Sequence, residues 1–219
     1  MRNFVITIRE NDKSEAAAER CVASGERFGM EIDFYEATTP LNTDVYKELE
    51  EKKIPVRGFQ NNKFSREDNM IAAFLSHHSI WEFCADTNEE VTIFEHDAII
   101  VDQIPEIEYN GCISFGMPSY GKFNKPPNLG KNRLVSKRYF PGAHAYRLKP
   151  KAAKVLIETA RFSAQPTDVY LSIETFPFLE EYYPWPVEVK ESFSTIQNVT
   201  GCRAKHMYND NYVIEEIVK

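Results

Sequence analysis

The chain has 219 residues, of which 42% are hydrophobic and 13% aromatic, and it carries a formal net charge of −7. This composition excludes a disordered chain, and the length is that of one domain with a sizeable core. No apolar run approaches the roughly 18 residues that a membrane-spanning helix requires, and no long apolar region typical of a secretory signal follows Met1. We therefore expect a single cytoplasmic domain over residues 1–219.

Charge is distributed unevenly along the chain. Residues 110–157, the basic segment, contain no Asp or Glu but ten Lys and Arg, so this segment carries +10 and the remainder −17. A solvated surface normally mixes both signs, and an acid-free stretch of this length indicates an anionic partner. A nucleoside diphosphate, an anionic glycan such as lipopolysaccharide, or a nucleic acid would each satisfy that requirement.

The first 37 residues predict a strand, a helix and a second strand. Residues 4–8 are apolar and β-branched, which is typical of a buried strand. Apolar residues at helical spacing follow, with Asp12 or Ser14 as the helix cap and Gly29 at its end. Residues 31–37 alternate as a second strand. This order predicts a right-handed βαβ unit and an α/β fold with a largely parallel sheet.

The middle of the chain continues this alternation of helices and strands. Residues 43–53 predict a short polar helix, and Ser65 is expected to cap a longer one. Residues 91–94 form an apolar run typical of a buried strand, and residues 111–117 predict another strand.

The second half begins with a long segment that has no hydrophobic periodicity. Residues 118–141 are rich in Pro, Gly, Asn and basic residues, and loops of this length usually bind a ligand or cover a site. Residues 142–148 predict a strand, and Pro150 is expected at the first turn of a helix. Residues 187–219 are expected to add short strands.

Two acidic residues follow the strand predicted at residues 91–94. Side chains at positions i and i+2 of an extended segment point the same way, so the carboxylates of Glu95 and Asp97 are expected to converge. Open α/β folds bind ligands at the carboxyl ends of their strands. A hard divalent cation is commonly held there by one or two carboxylates together with substrate phosphates. A solvated turn after the strand is the alternative interpretation.

Several short motifs, in order along the chain, resemble those of glycosyltransferase family 25. This family includes lipopolysaccharide galactosyltransferases and collagen-type galactosyltransferases. The resemblance extends over roughly residues 3–200. It rests on the strand at 4–9 (FVITIR), the helix segment at 75–81 (LSHHSIW), the acidic motif at 93–98 (IFEHDA), the strand at 142–146 (GAHAY) and the Pro-Thr-Asp at 166–168.

The resemblance implies a GT-A fold, in which a Rossmann-like nucleotide-binding sheet is flanked by helices and has an acceptor side beside it. Residues 1–105 would then form the donor-nucleotide half, and residues 106–219 the acceptor half. The donor implied is a UDP-sugar carrying galactose or glucose, transferred with inversion. Glu95 and Asp97 would hold Mn²⁺ or Mg²⁺ on the donor diphosphate. His96 replaces the middle carboxylate of the family motif, so it either ligates the ion or weakens the site.

The resemblance and the predicted elements together indicate further residues at the donor side. Thr7 and Arg9, at the end of the first strand, would lie at the nucleotide, and the helix carrying Ser76 and His77 would lie beside it. Gln197 corresponds to a Gln that the family has after a Pro-rich stretch.

The acceptor side is predicted less directly. Asp168, in the Pro-Thr-Asp motif, is the candidate general base, with capping of the following helix as its alternative role, and Glu174 is the second candidate. His144 and Tyr146 would share one face of a strand as ligand-binding candidates. Arg133, with its basic neighbours in the loop, would clamp phosphates or the acceptor.

Three functions remain open from the sequence. The first is a hexosyltransferase that acts on a surface glycan such as lipopolysaccharide. The second is a viral glycosyltransferase that modifies hydroxylated pyrimidines in DNA, for which the basic segment would bind phosphates. The third is an inactive module that binds a nucleotide or a sugar, which His96 in the metal motif keeps under consideration.

Overall fold

The computed structural model describes residues 1–62, 65–190 and 193–197, and the backbone of residues 213–214. Within these residues no helix is long and apolar enough to span a bilayer. The helices are α1 (Asp12–Glu26), α2 (Val45–Glu51), α3 (Glu67–Thr87), α4 (Pro150–Ser163) and α5 (Thr167–Tyr170). The strands are β1 (Arg2–Thr7), β2 (Asp33–Glu36), β3 (Val91–Glu95), β4 (Ala98–Ile100), β5 (Cys112–Ser114), β6 (Gly130–Arg133), β7 (Ala145–Leu148), β8 (Leu179–Tyr183), β9 (Val187–Val189), β10 (Phe193–Ser194) and β11 (Val213–Ile214).

Seven strands form one sheet in the order β2-β1-β3-β7-β5-β8-β6. The predicted βαβ unit is confirmed, since β1 pairs in parallel with both β2 and β3. The sheet as a whole is mixed: β5 and β8 also pair in parallel, whereas β7 runs antiparallel to both β3 and β5, and β6 runs antiparallel to β8. Five of the seven strands therefore share one direction, as predicted, and β7 and β6 oppose it. Residues 96–144, all of which the structure describes, contain no helix. The crossover from β3 to β5 is therefore made without a helix, although β5 runs in the same direction as β3.

Helices cover both faces of this sheet. Alternate residues of β1 point in opposite directions, with Phe4 in the core beneath α3 and α4 and Val5 in the smaller core beneath α1. Trp81 of α3 is fully buried and stacks on Tyr170 of α5 at 5.6 Å between ring centroids. Each such large side chain contributes about 1.5–3 kcal/mol when it is buried. The α/β fold class predicted from the sequence is thereby confirmed.

Two helix starts differ from the prediction. Helix α1 is capped by Asn11, whose side chain accepts a hydrogen bond from the backbone N–H of Ser14 at 2.9 Å. Helix α3 starts after Arg66, which makes no side-chain capping bond, and Ser65 instead forms a β-bridge with Gln197. The capping prediction at Ser65 fails because this residue pairs with a segment about 130 residues further along the chain, which no local pattern reveals.

The segment at residues 118–141 is more ordered than the sequence predicts. It contains β6, which pairs antiparallel with β8 at the edge of the sheet. Its apolar side chains Leu134 and Phe140 are buried in the main core. The isolated apolar residues of this loop anchor it to the sheet, although they show no strand periodicity.

Candidate functional site

A cavity of about 360 Å³ opens at the carboxyl ends of β1 and β3. Ile6 and Ile8 lie on its β1 side, and the turn that follows β3 contributes Glu95, His96 and Asp97. Ligand sites of open α/β sheets are expected at this edge. Of the residues predicted from the sequence, the cavity brings together Ser76, His77, Glu95, Asp97, Asp168 and Gln197.

Three carboxyl groups influence one another around this cavity. Burial raises the pKa of Glu95 from its usual 4.5 to about 8, and the charge of Asp168 adds to this shift. Burial and the charge of Glu95 likewise raise the pKa of Asp97 from 3.8 to about 8. Burial also raises the pKa of Asp168. A bound cation would favour the ionised form of these carboxyl groups and so offset the cost of their burial.

The residues at the turn after β3 fit a hard divalent cation. The Oδ1 atom of Asp97 is buried and accepts no hydrogen bond from the described residues. Carboxylate oxygens of this kind are the ligands that Mg²⁺ and Mn²⁺ prefer. Among the described residues no three His, Cys, Asp or Glu side chains are arranged as a complete ion site. Two carboxylates completed by substrate phosphates remain compatible with that finding.

A chain of hydrogen bonds extends from the core to Glu95. The Nε1 atom of Trp81 donates to the hydroxyl of Tyr146 at 2.8 Å. That hydroxyl lies 2.9 Å from Nδ1 of His77, and Nε2 of His77 lies 3.2 Å from Oε1 of Glu95. Tyr146, predicted as a ligand-binding residue, is fully buried and does not line the cavity. Its hydroxyl instead contacts His77.

His96 lies in the cavity wall between two contacts. Its Nδ1 atom is 2.8 Å from the hydroxyl of Ser14, and its ring stacks on Phe193 at 5.4 Å. Burial, with a smaller effect of the Arg20 charge, lowers its pKa to about 4. His96 is therefore neutral at pH 7, which is the form of imidazole that can bind a metal.

Asp168 belongs to the short helix α5 on the opposite wall of the cavity. The helix cap is Pro166, so Asp168 lies inside the first turn, and the alternative role of N-cap is wrong. Its Oδ1 atom accepts from the backbone N–H of Val169 at 2.8 Å, and its Oδ2 atom accepts from the hydroxyl of Tyr120. Both carboxylate oxygens are held in place at the edge of the cavity.

The helix and the C-terminal segment contribute the remaining predicted cavity residues. The hydroxyl of Ser76 accepts from the backbone N–H of Thr38 at 2.9 Å, which fixes the loop after β2. The segment at residues 193–197 also lines the cavity, and the carbonyl of Thr195 accepts from the side-chain amide of Asn69 at 2.7 Å. Gln197 is the last described residue of this wall.

Several predicted site residues lie elsewhere in the structure. Thr7 and His144 are buried but do not line the cavity. Arg9 is exposed and lies over the ring of Phe34 at 6.0 Å. Thr7 stands between Ile6 and Ile8, which line the cavity, so its side chain points to the other face of the sheet.

Two residues predicted on the acceptor side, Glu174 and Arg133, do not line the cavity. Glu174, the second candidate base, is 65% exposed and pairs with Arg138 at 2.9 Å. It is absent from the cavity wall. Arg133 is exposed on the edge strand β6 and is likewise absent from the wall. Spacing along the chain could not reveal either position.

The basic segment is partly neutralised by acids from outside it. Arg147 is buried and pairs with Glu106 at 3.4 Å, and Lys149 lies 3.5 Å from Glu108. Lys131 and Arg138 pair with Glu180 and Glu174. The segment is divided among β5, β6, β7 and α4. The positive charge of the segment counted from the sequence is therefore larger than the positive charge that remains available to an anionic partner.

Tyr120 is a cavity residue that the sequence did not predict. Tyr120 lines the cavity and donates to Asp168, and the ammonium of Lys137 lies 4.5 Å from its ring centroid. The charge of Lys137 lowers the pKa of Asp168, against the larger effect of burial. The only signal for Tyr120 in the sequence was its position in the loop at residues 118–141, for which a binding role was predicted.

The raised carboxyl pKa values predict a pH-dependent stability. Glu95 and Asp97 have pKa values of about 8 when folded, against 4.5 and 3.8 ordinarily. Between these limits the folded chain binds more protons, so metal-free protein should lose stability as pH rises from about 4.5 to about 8. Urea unfolding across this interval measures the effect. The double variant Glu95→Gln, Asp97→Asn should show a flatter profile, and an unchanged slope would contradict the assignment.

Comparisons with known proteins agree with the sequence motifs. Residues 1–111 match the family model of glycosyltransferase family 25, described as a lipopolysaccharide biosynthesis protein. No curated protein matches the sequence. A Drosophila β-1,4-galactosyltransferase 7 mutant, solved with manganese, UDP-Gal and xylobiose, is 10% identical, with 71% of this chain and 52% of that chain covered and a TM-score of 0.34.

A second solved structure is the CTP:phosphocholine cytidylyltransferase LicC from Streptococcus pneumoniae. It is 12% identical, with 85% of this chain and 91% of that chain covered and a TM-score of 0.32. The match to the galactosyltransferase spans about half of that protein's length. The family model matches 111 of the 219 residues, including the turn after β3 and the helix that carries His77. The chain therefore belongs to glycosyltransferase family 25.

Proposed function

We propose that this chain is a metal-dependent glycosyltransferase that moves a hexose from a UDP-sugar to an acceptor hydroxyl with inversion. The observation that carries the proposal is the gathering of Glu95, Asp97 and Asp168 around one cavity at the carboxyl ends of β1 and β3. Membership of glycosyltransferase family 25 supports the class of reaction.

Glu95 and Asp97 would hold Mn²⁺ or Mg²⁺ together with the donor diphosphate. Two observations support this role: the Oδ1 atom of Asp97 has no hydrogen-bond partner among the described residues, and burial raises the pKa of both carboxyl groups. A bound cation would neutralise the charge that develops on the leaving UDP. His96, neutral and in the same wall, is a further candidate ligand that could stand in for the carboxylate at the middle of the family motif.

Asp168 would act as the general base. As a carboxylate it would accept the proton of the acceptor hydroxyl while the acceptor oxygen attacks the anomeric carbon opposite the leaving diphosphate, which inverts the configuration. Hydrogen bonds from Tyr120 and from the N–H of Val169 hold the carboxylate in place. Both of these bonds, and the charge of Lys137, oppose the rise in the pKa of Asp168 caused by burial.

The acceptor proposed is a surface glycan such as lipopolysaccharide, as the description of the matching family model suggests. The DNA alternative drew its support from the basic segment. Four of its ten cations pair with acids outside the segment, which weakens that argument. The inactive-module alternative predicts donor binding without transfer.

The donor assignment is tested by thermal unfolding with UDP, GDP and CMP-sugar, each with and without Mn²⁺. A ligand that binds only the folded protein at about 100 times its Kd adds about 2.7 kcal/mol. For a chain of this size we expect UDP with Mn²⁺ to raise the Tm by roughly 5–10 °C. UDP without Mn²⁺ should give a smaller shift. An equal response to GDP, or no dependence on Mn²⁺, would contradict the proposal.

The acceptor is tested with the donor that this panel identifies. Radiolabelled sugar should be transferred to a lipopolysaccharide core oligosaccharide and not to duplex DNA that contains hydroxymethylated pyrimidines. Label in the DNA would favour the viral alternative. Donor binding without transfer to any acceptor or to water would favour the inactive module.

A further inference from the structure

We propose that His77 is a positioning residue that orients Glu95 toward the bound cation, and that Tyr146 and Trp81 fix the tautomer in which it does so. This inference rests on the proposed function, since it assumes that Glu95 is a metal ligand. It concerns residues behind the metal site rather than the site itself.

The four side chains form one continuous buried chain of contacts. The Trp81 indole donates to the Tyr146 hydroxyl at 2.8 Å, that hydroxyl lies 2.9 Å from Nδ1 of His77, and Nε2 of His77 lies 3.2 Å from Oε1 of Glu95. Trp81 and Tyr146 are fully buried, and His77 is 2% exposed. Water therefore cannot readily replace the hydrogen bonds among Trp81, Tyr146 and His77, whereas Glu95, at the cavity end of the chain, is 30% exposed.

The direction of the hydrogen bonds follows from the chemistry of the donors. The indole N–H of Trp81 can only donate, so it occupies one lone pair of the Tyr146 oxygen. The single proton of Tyr146 is then available for Nδ1 of His77. With Nδ1 as an acceptor, neutral His77 carries its proton on Nε2 and donates it to the Glu95 carboxylate.

The other tautomer leaves this network unsatisfied. With a proton on Nδ1, His77 would donate to Tyr146 and leave the hydroxyl proton of Tyr146 without its acceptor. The lone pair of Nε2 would then face the carboxylate oxygen of Glu95. Only the first arrangement pairs every group while Glu95 is ionised, and it leaves Oε2 of Glu95 available to a cation.

The fold places these groups rigidly. His77 and Trp81 are four residues apart on α3 and so lie on one face of the helix. Tyr146 of β7 is paired with Ile93 of β3, and Glu95 lies two residues further along β3, on the same face of the sheet. The rings of His77 and Tyr146 are stacked at 5.8 Å with an interplanar angle of 18°. The helix, the two strands and the ring contact together hold His77 beside the carboxylate of Glu95.

The proposal predicts that His77 variants alter the affinity for Mn²⁺ itself. In the presence of saturating UDP, Mn²⁺ binding measured by electron paramagnetic resonance should weaken about 10–100-fold in His77→Ala, the range typical of residues that orient a metal ligand. His77→Gln should recover much of this loss, because its amide N–H can replace Nε2–H as a donor to Glu95. Tyr146→Phe should give a smaller loss.

His78→Ala is the matched control. His78 lies on the same helix with 2% exposure, but its Nδ1 atom contacts Glu82 at 3.5 Å, and it does not line the cavity. This variant should lose stability and keep its Mn²⁺ affinity. If His77→Ala binds Mn²⁺ as His78→Ala does, or if His77→Gln is no better than His77→Ala, the inference is wrong.

Glu95→Gln separates this inference from the proposed function. Unchanged Mn²⁺ binding in Glu95→Gln would overturn the metal site and, with it, the role of His77. Lost binding in Glu95→Gln together with unchanged binding in all His77 and Tyr146 variants would overturn only the inference. If His77→Ala does not fold, His77→Gln and Tyr146→Phe decide the question with the same measurement.

Discussion

Sugar transfer by Glu95→Gln or Asp97→Asn is expected to fall at least 10²–10³-fold in kcat/KM, roughly 3–4 kcal/mol of lost transition-state stabilisation. Each change removes one carboxylate from the cavity edge where the donor diphosphate would share a cation. The half-maximal concentration of Mn²⁺ should rise in both variants. Initial rates measured over a range of donor concentrations at each of several Mn²⁺ concentrations, with the acceptor saturating, would reveal both effects.

The stability of these variants distinguishes a metal site from a structural one. Burial raises the pKa of Glu95 and of Asp97 to about 8, so ionising either side chain in the metal-free protein costs stability. The neutral amides should therefore stabilise the metal-free protein at pH 8 while they abolish transfer. A variant that lost activity and stability together would indicate a folding role instead.

Glu181→Gln provides the matched control for a buried carboxylate. Its side chain is 1% exposed, and its Oε1 atom accepts from the backbone N–H groups of Val135 and Ser136 at 2.7 Å each. This variant is expected to lose stability, because the two N–H groups prefer a charged acceptor. The concentration of Mn²⁺ that gives half-maximal activity should remain that of the wild type. If that concentration rose as much in Glu181→Gln as in Glu95→Gln, the effect of Glu95→Gln could not be assigned to a metal site.

The sequence predicted those parts of the fold that depend on local patterns. The apolar run at residues 4–8 and the alternation at residues 31–37 correctly predicted β1 and β2, and the helical spacing between them predicted α1. The direction of a strand could not be predicted in the same way, because the alternation of apolar and polar residues is the same in parallel and antiparallel strands. The reversal of β7 could therefore not be predicted from the sequence pattern.

The candidate site, like the fold, could be predicted only in the parts that depend on local sequence patterns. Glu95 and Asp97 both lie on the cavity as expected, although Asp97 stands in the turn after β3 and not in the extended segment from which this was predicted. Tyr120 could not be predicted as a site residue from the sequence, because its hydrogen-bond partner, Asp168, is 48 residues away. Arg133 and Glu174 were assigned by charge type, and charge type cannot show whether an exposed side chain faces the cavity or another ion.

The clearest test of the acceptor side is Asp168→Asn, which should lower kcat about 10²–10⁴-fold, the usual contribution of a general base. The amide keeps the shape of the carboxylate but cannot take a proton, so UDP and Mn²⁺ binding should be retained. Glu174→Gln, at an exposed residue outside the cavity, should leave kcat unchanged. Comparable losses in both variants, or a loss confined to the KM of the donor, would exclude Asp168 as the base.

The pH profile extends this test to the group that holds the base. Transfer requires ionised Asp168, so kcat should rise with pH through the pKa of Asp168, which burial raises above its usual value. The Tyr120 hydrogen bond opposes that rise by stabilising the carboxylate. Tyr120→Phe should therefore move the acidic limb of the profile to higher pH while the maximal rate remains closer to that of the wild type. If the acidic limb of the profile lies at the same pH in Tyr120→Phe as in the wild type, a group other than Asp168 controls the rate on that limb. Only a base that accepts a hydrogen bond from Tyr120 would lose this stabilisation in the variant.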